Sequence, residues 1–339
     1  MPLDLKQAMR NRAWQPPTPD QEALQEPLIA PETYGAGSVL KKAMAGLAGG
    51  GAMLGQTVYH GSPHVFDKFD INKVGAGQGA QTYGHGLYMA ENPAVAKVYA
   101  EDLGIRSAER MAMDHADEGD IAGSVDSLFS EITHGPQRRL LEALRNDGWL
   151  GYDYPHQALH ALRMENRGGM SSHDPSQATI DAVTGLQNLY KVDLPDSSIK
   201  RMLNWDTPLY EQPDVTSAML RPVRPVNKPT KDALWKSAGS SLSGRESYRS
   251  LADSLWRRDN PAWANNPIAA GPGVPHPTEG GAKSASEALN RAAGIPGIKF
   301  SDQGSRGIPG GTSNYVVFDD SLPKILERSN VPSRLMGRR

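Results

Sequence analysis

The side chains able to do chemistry gather between Thr57 and Leu103, beginning with His60-Gly61-Ser62. The run Gly84-His85-Gly86-Leu87-Tyr88-Met89-Ala90 follows, and Tyr99 stands eleven residues after Tyr88. An imidazole exchanges hydrogen bonds with hydroxyl groups near neutral pH. Two phenol rings attract a flat cationic group to their faces. Brought together around a glycine-rich loop, these groups border a pocket for a flat, polar ligand.

The elements that must position them are short. Thr57-Val58-Tyr59 reads as a strand ending at His60, and Gly86 to Ala90 as a second strand. A helix then starts at Asn92-Pro93, with Asn92 as the N-cap and Pro93 at the first helical position, where a missing N–H costs nothing. Its body, Ala94 to Leu103, carries Tyr99. The histidine and first tyrosine are thus predicted on strands and the second tyrosine on a helix.

This order of residues resembles the nicotinamide pocket of ADP-ribosyltransferases of the H-Y-E type. The likeness rests on His60-Gly61, on the segment Gly84 to Ala90, and on the spacing of Tyr88 and Tyr99. It extends to the ADP-ribosyltransferase domains of polyvalent proteins carried by phages and conjugative elements, whose Y-H-G-S-P-H-x-F-D-K-F opening is matched by Tyr59 to Phe69. The resemblance implies an α+β fold in which two small sheets pack around an NAD cleft, interrupted by a helical insertion. It implies NAD as substrate, with His60, Gly61, Tyr88 and Tyr99 holding it and His60, Tyr99 and Asn314 as the catalytic residues. The acceptor is a protein or another macromolecule. The protein is then expected in the bacterial host cytoplasm or carried in a phage virion, with residues 1–55 as a segment for docking on phage structural proteins.

The chemistry explains the residue types. Cleaving the bond between nicotinamide and ribose develops an oxocarbenium-like centre, as glycoside cleavage does. Backbone N–H and C=O groups at Gly61 suit a carboxamide, and glycine permits close approach. Tyr88 and Tyr99 suit the cationic ring, and His60 a ribose hydroxyl.

The pattern departs from the family at two places. The glutamate that opens the later strand in H-Y-E enzymes is Asn314 here, and the serine three residues before the second tyrosine is Ala96. Some mono-ADP-ribosyltransferases of the superfamily lack that glutamate, and the Asn314 amide can hold a ribose hydroxyl. Glu91, Asp302 and Gln303 are nearby candidates for the missing charge. Two functions follow: a mono-ADP-ribosyltransferase using NAD, or a weak or inactive fold of the same kind retained as a structural, virion-associated component.

The chain has 339 residues, 38% of them hydrophobic, with 35 Gly and 26 Pro, so much of it is expected as loop. A formal net charge of -2 gives no basis for general nucleic-acid affinity. With no cysteine, disulfides, thiolate nucleophiles and cysteine-based zinc sites are excluded together. Residues 1–55 read as a flexible tether, with a short helix near Leu5 to Arg12. The small apolar run Ala43 to Gly55 is too short to span a bilayer. The domain is expected over residues 56–328 and a basic tail over 329–339.

Within the domain, residues 104–187 show apolar spacings of three and four, as at Leu140, Leu141 and Leu144, and read as the helical insertion. His156 and His160 stand four apart, but no acidic partner follows at metal-ligand spacing, so they are assigned to a helix surface. Leu189 to Leu194 alternates as a strand, Ser197 to Leu203 reads as a short helix, and Asn204 to Leu209 resembles a recurring turn of the polyvalent-protein domains. Helical pieces follow over Lys231 to Trp256 and Ala282 to Ala293, the latter stopped by Gly294 and Pro296. Ile298 to Phe300 and Asn314 to Asp319 read as strands, joined by a glycine-rich loop over Gly304 to Gly311. Gly75 to Ala80 satisfies G-x-G-x-x-[GA], but another loop follows it where a dinucleotide fold needs a helix. No G-x-S-x-G is present for a hydrolase of that class.

Overall fold

A computed structural model describes residues 55–74, 82–114, 125, 128–151, 155–166, 175–261, 280–302, 304 and 310–332. The tether through residue 54 with its short helix, the Gly75 to Ala80 run, most of the loop after Asn260, Gln303, most of the Gly304 to Gly311 loop and the tail from residue 333 lie outside the described residues.

The chain opens with β1 (Gln56–Ser62) and β2 (Leu87–Ala90), followed by α1 (Pro93–Asp114). Asn92 Oδ1 accepts from the Ala94 N–H at 3.0 Å, so the predicted cap forms, and α1 runs well past Leu103. Three helices come next: α2 (Pro136–Asn146), α3 (Pro155–Asn166) and α4 (Gln177–Gly185). With the distal half of α1 they enclose a core of their own, centred on Ile105, Leu128, Leu140, Leu144, Leu159 and Val183. A largely buried ionic cluster ties α3 to α1. Arg163 Nε donates to Glu109 Oε2 at 2.7 Å, and Glu109 Oε1 meets His160 Nδ1 at 2.9 Å. Arg163 also reaches Asp102 at 3.4 Å. His160 is thus held against Glu109.

The chain returns to the sheet through β3 (Asn188–Leu194), then passes α5 (Asp196–Ile199) and the short β4 (Leu203–Asn204). The turn that follows is clamped by Gln212, whose side chain bonds Asn204 N, Asn204 O and Thr207 O at 2.7–2.8 Å. Next come α6 (Pro213–Leu220), α7 (Lys228–Ser237) and α8 (Gly244–Asp259). Gly244 is the first residue of α8, and Ser243 and Glu246 form a reciprocal capping box around it. Helix α9 (Ala282–Glu287) continues as a π-helical turn over Ala288–Ala293, ended by Gly294 at φ 70°. The last strands are β5 (Gly297–Ser301), β6 (Ser313–Val317) and β7 (Lys324–Asn330).

The seven strands among the described residues form one mixed sheet in the order β4-β5-β6-β2-β1-β3-β7. The expectation of two separate sheets is corrected, and the pairing is thinnest at the centre. Seven residue pairs join β1 to β3 and four join β2 to β6, whereas β1 and β2 register only through Tyr59 and Ala90. One face packs Val58, Met89, Tyr190, Val192 and Tyr315 beneath the segment after β1. The opposite face has two covers. Near β1 and β3, Ala96 and Ala100 of α1 pack with Tyr59 and Leu189. Near β4, β5 and β6, helices α6 to α9 pack on Ile298, Phe300 and Val316.

No helix among the described residues is long and apolar enough to cross a membrane.

Candidate functional site

His60 lies where the β1–β2 ladder gives out. Its Nδ1 stands 2.8 Å from the carbonyl oxygen of Tyr88 on β2. A carbonyl only accepts, so Nδ1 carries the proton and the neutral ring presents Nε2 as an acceptor. Burial lowers the imidazole below its ordinary pKa, against the opposing pull of the Tyr88 carbonyl. A neutral ring at physiological pH is the result.

The sequence after β1 builds the wall behind that ring. Tyr190 on β3 donates its hydroxyl hydrogen to the His64 carbonyl at 2.8 Å and accepts from the Phe66 N–H at 3.0 Å. Phe66 stacks on Tyr190 with centroids 4.3 Å apart, and Phe69 meets His60 edge-on at 5.3 Å. The Tyr59 to Phe69 segment thus folds back and fixes the imidazole plane.

Gly61 has a structural duty on the other face. A Cβ there would fall 2.1 Å from the Ala96 carbonyl oxygen and 2.6 Å from the Ala100 N. The missing side chain admits α1 at this position. Ala96, at the family's serine position, is buried in that same contact.

Tyr88 is half-buried against the core beneath α6 to α9. Its hydroxyl donates to the Gly84 carbonyl at 2.8 Å and accepts from the Tyr83 N–H at 3.2 Å. Burial pushes the phenol far up, so it stays protonated. Gly84 adopts φ +114°, and a Cβ there would lie 2.9 Å from the Tyr248 ring. Tyr248 on α8 accepts from the His85 N–H at 3.2 Å and donates to the Ala282 carbonyl at 2.7 Å, with Ser286 Oγ at 2.9 Å. Its phenol is pushed up to about 12, mainly by burial. Tyr83 stacks on Phe300 at 3.9 Å and tilts against Trp205 at 5.3 Å. Neither Tyr83 nor Tyr248 was singled out from the sequence, since single tyrosines carry no pattern there.

Tyr99 projects from the first third of α1 and leaves 46% of its surface in solvent. Partial burial raises its phenol, and the neighbouring Tyr83, Asp302 and Asp102 add to the effect. Tyr99 in turn acts on the Tyr88 phenol, so the two tyrosines share one electrostatic neighbourhood.

Asn314 pairs with Ala90 on one side and Phe300 on the other. Side chains alternate along a strand. Asn314 therefore shares a face with Tyr88, Ala90 and Phe300. Its Oδ1 is buried and has no hydrogen-bond partner. Glu91 projects from the opposite face. Its carboxylate accepts from the Ser313 N–H at 2.9 Å and from the Tyr315 hydroxyl, locking the end of β2 to β6. Glu91 is thus removed as a replacement for a charge at Asn314. A separate surface groove lined by Leu209, Tyr210, Pro213, Thr216, Leu220 and Arg221 shares no residue with this site.

Among the described residues no group of three or more His, Asp or Glu stands together as metal ligands do. No family model, known protein or solved structure matches the chain.

Proposed function

We propose that the chain is a mono-ADP-ribosyltransferase of a phage or mobile element, moving single ADP-ribose units from NAD to a protein or other macromolecular acceptor in the bacterial host cytoplasm. The finer fold proposed with it is the ADP-ribosyltransferase-like arrangement, with the NAD cleft at the weak central joint of the sheet and residues 104–187, from the distal part of α1 through α4, as the helical insertion.

The observation that carries this is the His60–Tyr88 hydrogen bond at 2.8 Å, made where β1 and β2 keep a single residue pair. It fixes the tautomer and leaves Nε2 to accept from a ribose hydroxyl. The residues present fit NAD in two further respects. Asn314 Oδ1 is a buried acceptor without a partner, matched to a hydroxyl hydrogen. Tyr99 offers a half-exposed ring that attracts a pyridinium.

These groups divide the work. Tyr88 and Tyr99 hold the nicotinamide ring, while His60 and Asn314 orient ribose hydroxyls. Water or the acceptor then attacks the anomeric carbon as nicotinamide leaves with the bonding pair. Incubation of the full chain with labelled NAD and bacterial lysate tests this. Label on macromolecules, lost in His60→Ala, is expected. No label together with no NAD binding contradicts it.

A second reading is a binding or virion-associated component with the same fold and little or no turnover. The uncharged Asn314 favours it, with Glu91 pinned on the far face. NAD binding without turnover would select it.

A further inference from the structure

We propose that the exposed face formed by Arg221 to Lys236 is a second binding surface, one that takes single-stranded nucleic acid. Phosphates meet its cations and a base stacks on the Trp235 ring. This surface does not depend on the NAD reading. The formal net charge of -2 for the whole chain conceals a local excess here. Residues 221–236 hold five cations (Arg221, Arg224, Lys228, Lys231 and Lys236) against the single acid Asp232, a net +4.

The first half of the stretch is pinned in place. Pro222 and Pro225 fix their own φ. The N–H groups of Val223 and Arg224 both donate to the Ala292 carbonyl, at 2.9 and 3.3 Å. Arg201 reaches the same corner, donating to the Gly294 carbonyl at 3.3 Å, and adds its charge to that of Arg224. Val223 leaves 68% of its surface in solvent.

The second half is α7. Its Ala233 and Leu234 face the core beneath α6 to α9. Lys228, Lys231 and Trp235, at helical positions i, i+3 and i+7, therefore share the outer face, and Trp235 is 67% exposed there. Lys228 is paired with Asp232 at 2.6 Å. Among the described residues, the Arg221, Arg224, Lys231 and Lys236 side chains make no ion pair or hydrogen bond. Helix stability gives no reason for Lys228 and Lys231, because the dipole disfavours cations in a first turn.

A bare indole beside unpaired cations suits a single strand, whose bases stack on aromatic faces while its phosphates go to Lys and Arg. A duplex keeps its base faces stacked inside, and an acidic peptide side chain offers nothing flat to the indole. A membrane would need a wider apolar face than Trp235 and Val223 supply. The acceptors able to read a 2′-hydroxyl are engaged, Asn227 by the Thr230 N–H at 3.0 Å and Asp232 by Lys228, so DNA and RNA should bind alike.

The full chain, its Trp235→Ala variant and a Lys231→Glu, Lys236→Glu double variant test this. Each is titrated into labelled oligothymidylate and oligouridylate of about 20 nucleotides, longer than one binding site, and read by anisotropy. Circular dichroism checks folding. A DNA duplex, polyglutamate and phosphatidylserine vesicles are the competing probes. Wild type should bind both strands at low salt, with log affinity falling against log salt by about 2–3, roughly 0.7 per phosphate held. Trp235→Ala should weaken binding by at least about 5-fold and leave that slope unchanged. The double charge reversal should weaken it by at least about 10-fold and flatten the slope by about 1 or more. No binding of either strand by folded wild type overturns the proposal, as does binding that either folded variant leaves unchanged. So does tighter capture of the duplex, polyglutamate or vesicles than of the single strands, or a preference between the two strands beyond about 10-fold.

Discussion

His60 and Tyr88 are joined side chain to backbone across the one place where the sheet nearly parts, with Nδ1 2.8 Å from the carbonyl oxygen. The bond replaces ladder pairing beyond Tyr59 and Ala90. It ties the two halves of the sheet together and fixes which imidazole nitrogen carries the proton.

The burial of His60 predicts a pH dependence of stability. Burial holds His60 below the ordinary value of 6.5, so the unfolded chain binds the extra proton first. The stabilisation is fully present above about pH 6.5 and is lost as pH falls through the lower folded-state value. His64 and His85 are lowered by burial as well and add to the slope. Thermal melts from pH 8 to pH 5 should show a falling Tm, and His60→Gln should flatten part of the fall. An unchanged slope in His60→Gln would assign the effect to the other histidines.

Gly61→Ala should be among the most damaging small substitutions. Its Cβ meets backbone atoms of Ala96 and Ala100 at 2.1 and 2.6 Å, and neither can rotate away. Overpacking of this kind costs about 1–3 kcal/mol or more, and α1 must shift outward with Tyr99. Chemical denaturation of the variant measures the loss, and a loss below ~0.5 kcal/mol would show that α1 is not seated as described.

Much of this was legible. The strand at Thr57 to Tyr59, the cap at Asn92, the helix stop at Gly294 and the core positions of α2 all appear in the structure where local rules put them. What was not legible depended on pairing at a distance. β7 shows no alternation, because as an edge strand it exposes nearly every residue; it was not read as a strand, and its last two residues were given to the basic tail. The single sheet could not be told from two, since a joint of one residue pair leaves no mark in composition. Glu91 and Asp302 looked equivalent in sequence, and only the structure pins Glu91 on the face away from Asn314.

The ionic cluster between α1 and α3 should matter for the helical part. Burial alone would raise the Glu109 carboxyl, but the hydrogen bonds from Arg163 and His160 outweigh it and hold it below its usual value. Arg163→Ala removes the partner and strands a buried charge, which costs about 3–5 kcal/mol. Arg163→Ala with Glu109→Leu should recover most of that, and a single-variant loss under ~1 kcal/mol would mean the cluster is solvated.

Tyr248→Phe removes the acceptor for the His85 N–H and the donor to the Ala282 carbonyl. Leaving such groups unsatisfied costs about 1–3 kcal/mol. The Gly84–His85 turn should loosen, seen as faster amide exchange at Tyr83 to Gly86. Exchange unchanged from wild type would show that the turn is held without α8.

The most direct test of the central claim is calorimetric titration of NAD into the wild-type chain, with Tyr99→Ala beside it. Binding with Kd below ~1 mM is expected, in the range of ordinary enzyme–substrate affinities. Tyr99→Ala should weaken it by about 5-fold or more, the value of one cation–π contact of ~1 kcal/mol. No heat of binding at millimolar NAD in the folded wild-type chain would contradict the account.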